Sequence, residues 1–166
     1  IATELMFFAG LISAYLVNKA GVSWPPAGQP RLPVEITAIN TLILLSSAYT
    51  IYLFKNKYSE GKGKYLLIVT LLLGFAFVTI QGIEWVKLLQ FGLTTTSSLY
   101  GAFFYTLIGA HGFHVIVGLL ILIYLLLSLH KKLPRETALN RISTCSFFWY
   151  FVVGIWPTLY VLVYLI

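Results

Sequence analysis

The chain has 166 residues, of which 59% are hydrophobic and only 10% are charged, and its mean hydropathy is +0.89. Soluble proteins carry about 25% charged residues, so this composition excludes an ordinary water-soluble domain and indicates an integral membrane protein. The formal net charge of +6 does not indicate a nucleic-acid partner, because the basic residues are dispersed into short connections. Cys145 is the only cysteine, which excludes an internal disulfide and a metal site built from several cysteines.

Five apolar runs approach or exceed the roughly 20 residues that a helix needs to cross a hydrocarbon core of about 30 Å. They predict an all-α polytopic membrane helix bundle, organised as one membrane domain over residues 1–166. The predicted transmembrane helices cover about 1–18, 34–54, 65–90, 99–129 and 142–166. Because the first run is slightly short and starts at once with IATELMFF, we expect the N-terminus to be truncated inside a helix.

The connections between the helices differ in lysine and arginine, which accumulate on the cytoplasmic side of short loops. The basic residues of the second and fourth connections are Lys55, Lys57, Lys62, Lys64, Lys131, Lys132, Arg135 and Arg141. Loops 55–64 and 130–141 are therefore expected in the cytoplasm, with the C-terminus outside and the start of the first helix inside. The proline-rich first connection contains Trp24, a residue type that suits a membrane interface.

Two acidic residues fall within the apolar runs, where a charged side chain costs about 2.5 to 3.5 kcal/mol and needs a partner or a purpose. Glu4 has no cationic residue nearby in the sequence before Lys19. It is either a proton-exchanging or reactive carboxylate, or a protonated acid hydrogen-bonded within the bundle. Glu84 has Gln81 and Lys87 at i−3 and i+3, on neighbouring helix turns, which favours a structural ion pair near the membrane surface.

His111 and His114 lie in the otherwise apolar segment TLIGAHGFHVIVG. Residues at i and i+3 share a helix face, so both could chelate one metal, but a structural or catalytic site needs further ligands. Apart from Cys145 at the start of the last run, no His, Cys or Asp on another apolar run could supply them. The pattern therefore favours histidines hydrogen-bonded across helices, with a metal or haem site as the alternative. Small residues expected to let helix backbones approach closely are Gly10, Ser13, Ala14, Gly109 and Gly112.

Several segments, taken in order, resemble subunit III of the haem-copper oxidases, the group of cytochrome c oxidases and quinol oxidases. The segments are TELMFFAG (3–10), WPPAG (24–28), PVEITAIN (33–40), QGIEW (81–85) and YGAFFYTLIGAHGFHVIVG (100–118). The resemblance covers nearly the whole chain and implies that the five helices correspond to helices 3 to 7 of the seven-helix family pattern.

The last helix departs from the family pattern in the stretch WYFVVGIW. Trp149, Phe151 and Trp156 are kept, which implies that this helix packs as in the family. Tyr150 stands at the histidine position and Val153 at the aspartate position, so a polar network of that aspartate is not carried over.

The resemblance implies a non-catalytic subunit that holds no haem, copper or other metal and supports an oxygen-reducing enzyme complex. Haem and copper are then expected in subunit I, with copper in subunit II as well. Family members bind phospholipid between their helices and sustain proton uptake and turnover stability of subunit I. Glu4 matches the family's carbodiimide-reactive carboxylate, so we expect it to face the lipid cleft and subunit I.

Subunit I, subunit II and a supercomplex with an electron-donor complex are the protein partners that the resemblance implies. The five-helix form favours the bacterial plasma membrane over the mitochondrial inner membrane, and the sequence leaves cytochrome c and quinol open as electron donors. The competing hypotheses are an independent proton or solute transporter that uses Glu4 and Glu84, and a haem-binding cytochrome that uses His111 and His114. A third is a subunit III-like component of another respiratory complex.

Overall fold

The computed structural model describes residues 1–20, 32–59, 63–130 and 134–166. The five α-helices are α1 (Ala2–Lys19), α2 (Val34–Ser59), α3 (Lys64–Gln90), α4 (Leu99–Ser128) and α5 (Arg135–Tyr160), and a short π-helical turn, Val161–Leu165, follows α5. These described ranges contain no β-strand, which confirms the predicted all-α bundle.

Four helices of the described chain, α2 to α5, are long and apolar enough to cross a membrane. Their surfaces carry large apolar side chains that are open on the outside of the bundle, such as Leu72, Leu120 and Phe147. A bilayer accommodates such a surface, and a helix satisfies its own backbone hydrogen bonds there. The shorter α1 is not among these four helices, and its crossing of the membrane stays a prediction.

Two helices extend beyond the apolar runs that predicted them. Helix α2 continues past 54 to Ser59, and α5 begins at Arg135, well before the expected start at 142. The added turns contain Lys, Arg and Glu residues, which have good helix propensity but form no apolar pattern. An apolar run marks only the part of a helix inside the bilayer. The connections that follow α2 and precede α5 therefore contain fewer residues than the sequence suggested.

The helix ends converge at two opposite ends of the bundle. At one end Lys55 Nζ donates to Ser143 Oγ at 3.1 Å, and Lys64 Nζ donates to the carbonyl of Leu129 at 3.3 Å. At the other end the hydroxyl of Tyr15 donates to the carbonyl of Leu162 at 3.0 Å. The basic connections that were expected in the cytoplasm therefore share one end. The expectations for Trp24, Lys62, Lys131 and Lys132 lie outside the described residues.

One close helix approach occurs around Trp149 of α5, which is fully buried. A Cβ added at Gly118 of α4 would lie 2.9 Å from the Trp149 ring, and one added at Gly74 of α3 would also lie 2.9 Å from it. These two glycines let the indole sit between three helices. The expected role of Gly10 is wrong, because a Cβ there meets nothing within 4 Å.

Candidate functional site

The central feature of the site is a contact between the first and fourth helices. Glu4 Oε2 lies 3.0 Å from His114 Nε2, although the two residues are far apart in the sequence. His114 Nδ1 lies 2.7 Å from the carbonyl oxygen of Ala110 on its own helix. Glu4 therefore has a basic partner that its sequence neighbourhood did not reveal.

The hydrogen-bond partners fix how many protons this pair holds. A carbonyl oxygen only accepts, so His114 Nδ1 must carry a proton. The short contact between Nε2 and Oε2 then needs one more proton, on either the imidazole or the carboxyl. In the first case a histidinium faces a carboxylate, and in the second a neutral histidine accepts from a carboxylic acid. Both forms are neutral as a pair, which suits a site at membrane depth.

The pair lies near the middle of α4 and is bordered by aromatic rings. His114 is separated from the start of α4 by about 22 Å along the helix, at a rise of 1.5 Å per residue. The rings of Phe8 and Phe113 lie 5.1 Å and 5.9 Å from the imidazole. The His114 side chain is only 13% exposed, whereas that of Glu4 is 39% exposed. The carboxyl is therefore the accessible member of the pair.

His111 differs from His114 and corrects the expectation that both histidines hydrogen-bond across helices. Its ring is almost completely buried, and neither ring nitrogen has a hydrogen-bond partner among the described residues. The ring instead packs at 4.9 Å from Trp156 and at 6.1 Å from Phe77. The predicted hydrogen bond of His111 is therefore wrong, because aromatic side chains occupy the positions where a polar partner would lie.

Glu84, Gln81 and Lys87 are held by different contacts near the Gln90 end of α3. Lys87 Nζ donates to Glu84 Oε1 at 2.9 Å, which is the ion pair that the i, i+3 spacing favours. Gln81 Nε2 donates to the hydroxyl of Tyr164 at 3.1 Å. Asn40 Nδ2 donates to Gln81 Oε1 at 3.4 Å and to the carbonyl of Phe77 at 3.1 Å. Gln81 thus belongs to a buried structural network that ties α2, α3 and the end of the chain together.

The two tryptophans of the last helix are buried and paired with α2. Trp149 Nε1 donates to Ser47 Oγ at 3.0 Å, and Trp156 Nε1 donates to Thr41 Oγ1 at 2.8 Å. The sequence singled out the tryptophans for packing but not the two hydroxyls, because Ser and Thr are common inside membrane helices. At the aspartate position of the family, Val153 is buried among apolar side chains.

Within the described residues, no three His, Cys, Asp or Glu side chains lie together where they could hold a metal ion. His114 is engaged with Glu4 and a backbone carbonyl, and His111 is enclosed by aromatic rings. The arrangement can hold and exchange a proton at Glu4, and the tryptophans and the Gln81 network hold the helices around it.

Comparison with known proteins extends this description. The chain matches the family model described as cytochrome c oxidase subunit III over residues 1–166. It is 34% identical to a probable cytochrome c oxidase subunit 3 of Mycobacterium leprae, over 100% of this chain and 84% of that protein. It is 33% identical to the cytochrome c oxidase subunit 3 of Synechocystis, over 100% of this chain and 72% of that protein. The chain is an integral membrane protein that belongs to the cytochrome c oxidase subunit III family.

Proposed function

We propose that the chain is the non-catalytic subunit III of a respiratory haem-copper oxidase and that the Glu4–His114 pair supports proton uptake by the catalytic subunit. The carrying observation is the 3.0 Å contact between Glu4 Oε2 and His114 Nε2. Membership of the family supports assembly into an oxidase complex. Subunits I and II are the proposed partners and hold the haem and copper, and the bacterial plasma membrane is the proposed location.

The chemistry of the pair supports this role. Because the pair is neutral with one shared proton, it can remain at membrane depth without the cost of an isolated charge. Loss of that proton would leave a carboxylate beside a neutral imidazole, and gain of a second would leave a cation. The pair therefore resists a lasting change of charge but can take up a proton and release another at the exposed carboxyl.

The surface next to Glu4 supports a lipid or protein neighbour on α1. Leu5, which follows Glu4 directly, is 52% exposed, and Phe7, one helix turn further on, is 46% exposed. Apolar side chains in such an arrangement fit the acyl chains of phospholipid or the helices of subunit I. In the proposed assembly, lipid and subunit I cover this face and limit the access of water to Glu4.

Three variants of the purified oxidase complex test the proposal. Glu4→Gln keeps the size of the side chain but cannot exchange a proton, and His114→Gln removes the basic partner. Glu35→Gln, at an exposed carboxylate in the first turn of α2, is the matched control. Oxygen consumption is followed over repeated turnovers, together with retained phospholipid and carbodiimide incorporation at Glu4.

We expect Glu4→Gln and His114→Gln to lose activity faster during turnover than the wild type, while Glu35→Gln keeps the wild-type rate of inactivation. Carbodiimide incorporation should fall in Glu4→Gln and change in rate in His114→Gln, because the imidazole controls the proton on the carboxyl. If both variants keep wild-type lipid content and turnover stability, the proposed role of the pair is wrong.

A further inference from the structure

A cleft of about 250 Å³ lies between α3 and α4. At 100° per residue, Gly112 and Ile116 on its α4 wall point roughly opposite to His114, so the cleft is separate from the site at Glu4. Gly112 is about 20 Å along the helix from the Leu99 end of α4, and Ile116 is exposed on the outside of the bundle. The cleft therefore opens on the apolar surface of the bundle, where molecules dissolved in the hydrocarbon can enter from the side.

The cleft has flat walls, because aromatic rings and glycines supply most of them. A Cβ added at Gly82 meets nothing within 4 Å, and one added at Gly109 or Gly112 meets only the Trp85 ring, at 3.8 and 3.6 Å. Ring faces of this kind favour a planar ligand. A cavity of about 150 Å³ binds one benzene ring, so this larger cleft has room for a substituted ring or for two fused rings. The lining side chains that carry rings are Phe77, Trp85, His111, Phe113 and Trp156.

Two side chains of the cleft carry polar groups without partners. Trp85 Nε1 and both ring nitrogens of His111 are buried and make no hydrogen bond within the described part of the chain. An indole has one N–H donor and no acceptor, and a buried donor without a partner is unfavourable. The open space beside Gly82 and Gly112 allows the Trp85 ring to tilt toward an acceptor in the cleft. A ligand with a carbonyl oxygen is therefore favoured over a pure hydrocarbon.

We propose that the cleft binds the headgroup of an isoprenoid quinone, with the ring against Gly82 and Gly112 and one quinone carbonyl accepting a hydrogen bond from Trp85 Nε1. A quinone combines a planar ring and carbonyl acceptors with an isoprenoid chain that dissolves in the bilayer. A saturated acyl chain would use neither the flat ring faces of the cleft nor the unpaired indole N–H. Binding at this cleft involves no electron transfer, and it does not depend on the role of Glu4.

The test uses the complete oxidase complex in phosphatidylcholine nanodiscs and a naphthoquinone whose short isoprenoid chain carries a diazirine. After illumination, peptide mass spectrometry locates the adducts, and their yield is measured as the probe is titrated. Gly82→Leu and Gly112→Leu fill the cleft from opposite walls, and Trp85→Phe removes the N–H but keeps a ring. Gly154→Leu on α5, where a Cβ also meets nothing within 4 Å, is the matched control at an exposed site away from the cleft. The competitors are the unlabelled naphthoquinone and a naphthalene analogue that lacks the two carbonyls.

We expect saturable adducts on residues 77–85 and 108–116 in the wild type and in Gly154→Leu, and their loss in at least one of the two leucine variants of the cleft. Trp85→Phe should weaken the affinity for the probe about three- to ten-fold, which is the effect of one neutral hydrogen bond. The unlabelled naphthoquinone should displace the probe several-fold better than the naphthalene analogue does.

Adducts that fail to saturate, or that survive in both leucine variants of the cleft, would overturn the quinone site, and so would their loss in Gly154→Leu. Equal displacement by the two competitors, or an unchanged affinity in Trp85→Phe, would also overturn it, because the hydrogen bond to the carbonyl would then contribute nothing. Turnover stability of the Glu4 variants is measured separately, so the quinone site and the role of Glu4 fail independently.

Discussion

The indole N–H groups of Trp149 and Trp156 are satisfied at membrane depth by hydroxyls of α2. An unpaired donor in hydrocarbon cannot hydrogen-bond to water. Each such pair therefore fixes the rotation of α5 about its axis relative to α2. Ser47 also donates to the carbonyl of Leu44 at 2.6 Å, which leaves its lone pairs free to accept from the indole. Each hydroxyl thus serves its own helix and the neighbouring one.

Replacement of Trp149 by Phe removes the indole N–H and part of the ring, and we expect the bundle to lose stability. Interhelical hydrogen bonds in membranes contribute about 0.6 kcal/mol on average and up to about 1.7 kcal/mol. The coupling is measured by a double-mutant cycle of Trp149→Phe and Ser47→Ala, with unfolding in mixed detergent micelles as the readout. Trp85→Phe is the control, since the Trp85 N–H has no partner among the described residues. A coupling free energy near zero would contradict the assigned bond.

Local sequence patterns predict only some of the contacts of the site. The spacing of Glu84 and Lys87 is local and gives the ion pair directly. The apolar surroundings of Glu4 and His114 single out each residue in the sequence. Their contact, however, joins residues far apart in the chain. Such a pairing depends on how α1 docks against α4, and no local pattern encodes that docking. The same reason explains why one histidine is paired and the other is enclosed by rings.

At the scale of elements, α3, α4 and α5 are held together by a large side chain that fits against two small ones. Trp149 fills the space between Gly74 and Gly118, where an added Cβ would come too close to the ring. Membrane helices lack a strong hydrophobic drive for association and depend on such close packing. The identity of these two glycines is therefore a packing requirement.

Gly118→Ala should destabilise the bundle by about 1 to 3 kcal/mol, because the added methyl forces Trp149 to shift in a filled core. Gly154→Ala is the matched control on α5, since its Cβ has open space. That variant should be neutral or stabilising by up to about 1 kcal/mol, because alanine has the higher helix propensity. Thermal unfolding of the purified protein in one detergent compares the two. Equal melting temperatures for both variants would contradict the packing role of Gly118.

The existence and order of the five helices follow from the apolar runs, since membrane thickness demands long apolar segments. The ends do not, because the polar turns at 55–59 and 135–141 are helical without an apolar pattern. The expected close contact at Gly10 is also wrong, because a Cβ there meets nothing within 4 Å, whereas a Cβ added at Gly109 or Gly112 would be in ordinary van der Waals contact with Trp85 of α3. Small residues permit either a helix contact or an open space, and only the facing side chain decides between them.

On the scale of the whole molecule, the basic residues at 55, 57, 64, 135 and 141 collect at one end of the bundle. Tyr105 donates to the carbonyl of Leu93 at 2.9 Å, and this contact closes the opposite end beside an uncharged connection. The asymmetry of lysine and arginine favours the basic end in the cytoplasm. The direction of the proposed proton uptake at Glu4 depends on this orientation, because α1 points its Lys19 end away from the basic end.

Single cysteines test the orientation in a Cys145→Ser background. Lys57→Cys and Glu136→Cys place thiols at exposed positions of the basic end, and Thr95→Cys places one at an exposed position of the other end. A membrane-impermeant maleimide should label Thr95→Cys in intact cells and the other two only in inverted vesicles. The cost of moving several lysines and arginines across the bilayer makes the reverse orientation unfavourable. Labelling of Lys57→Cys in intact cells would reverse the topology and would require proton exchange at Glu4 to proceed from the other side.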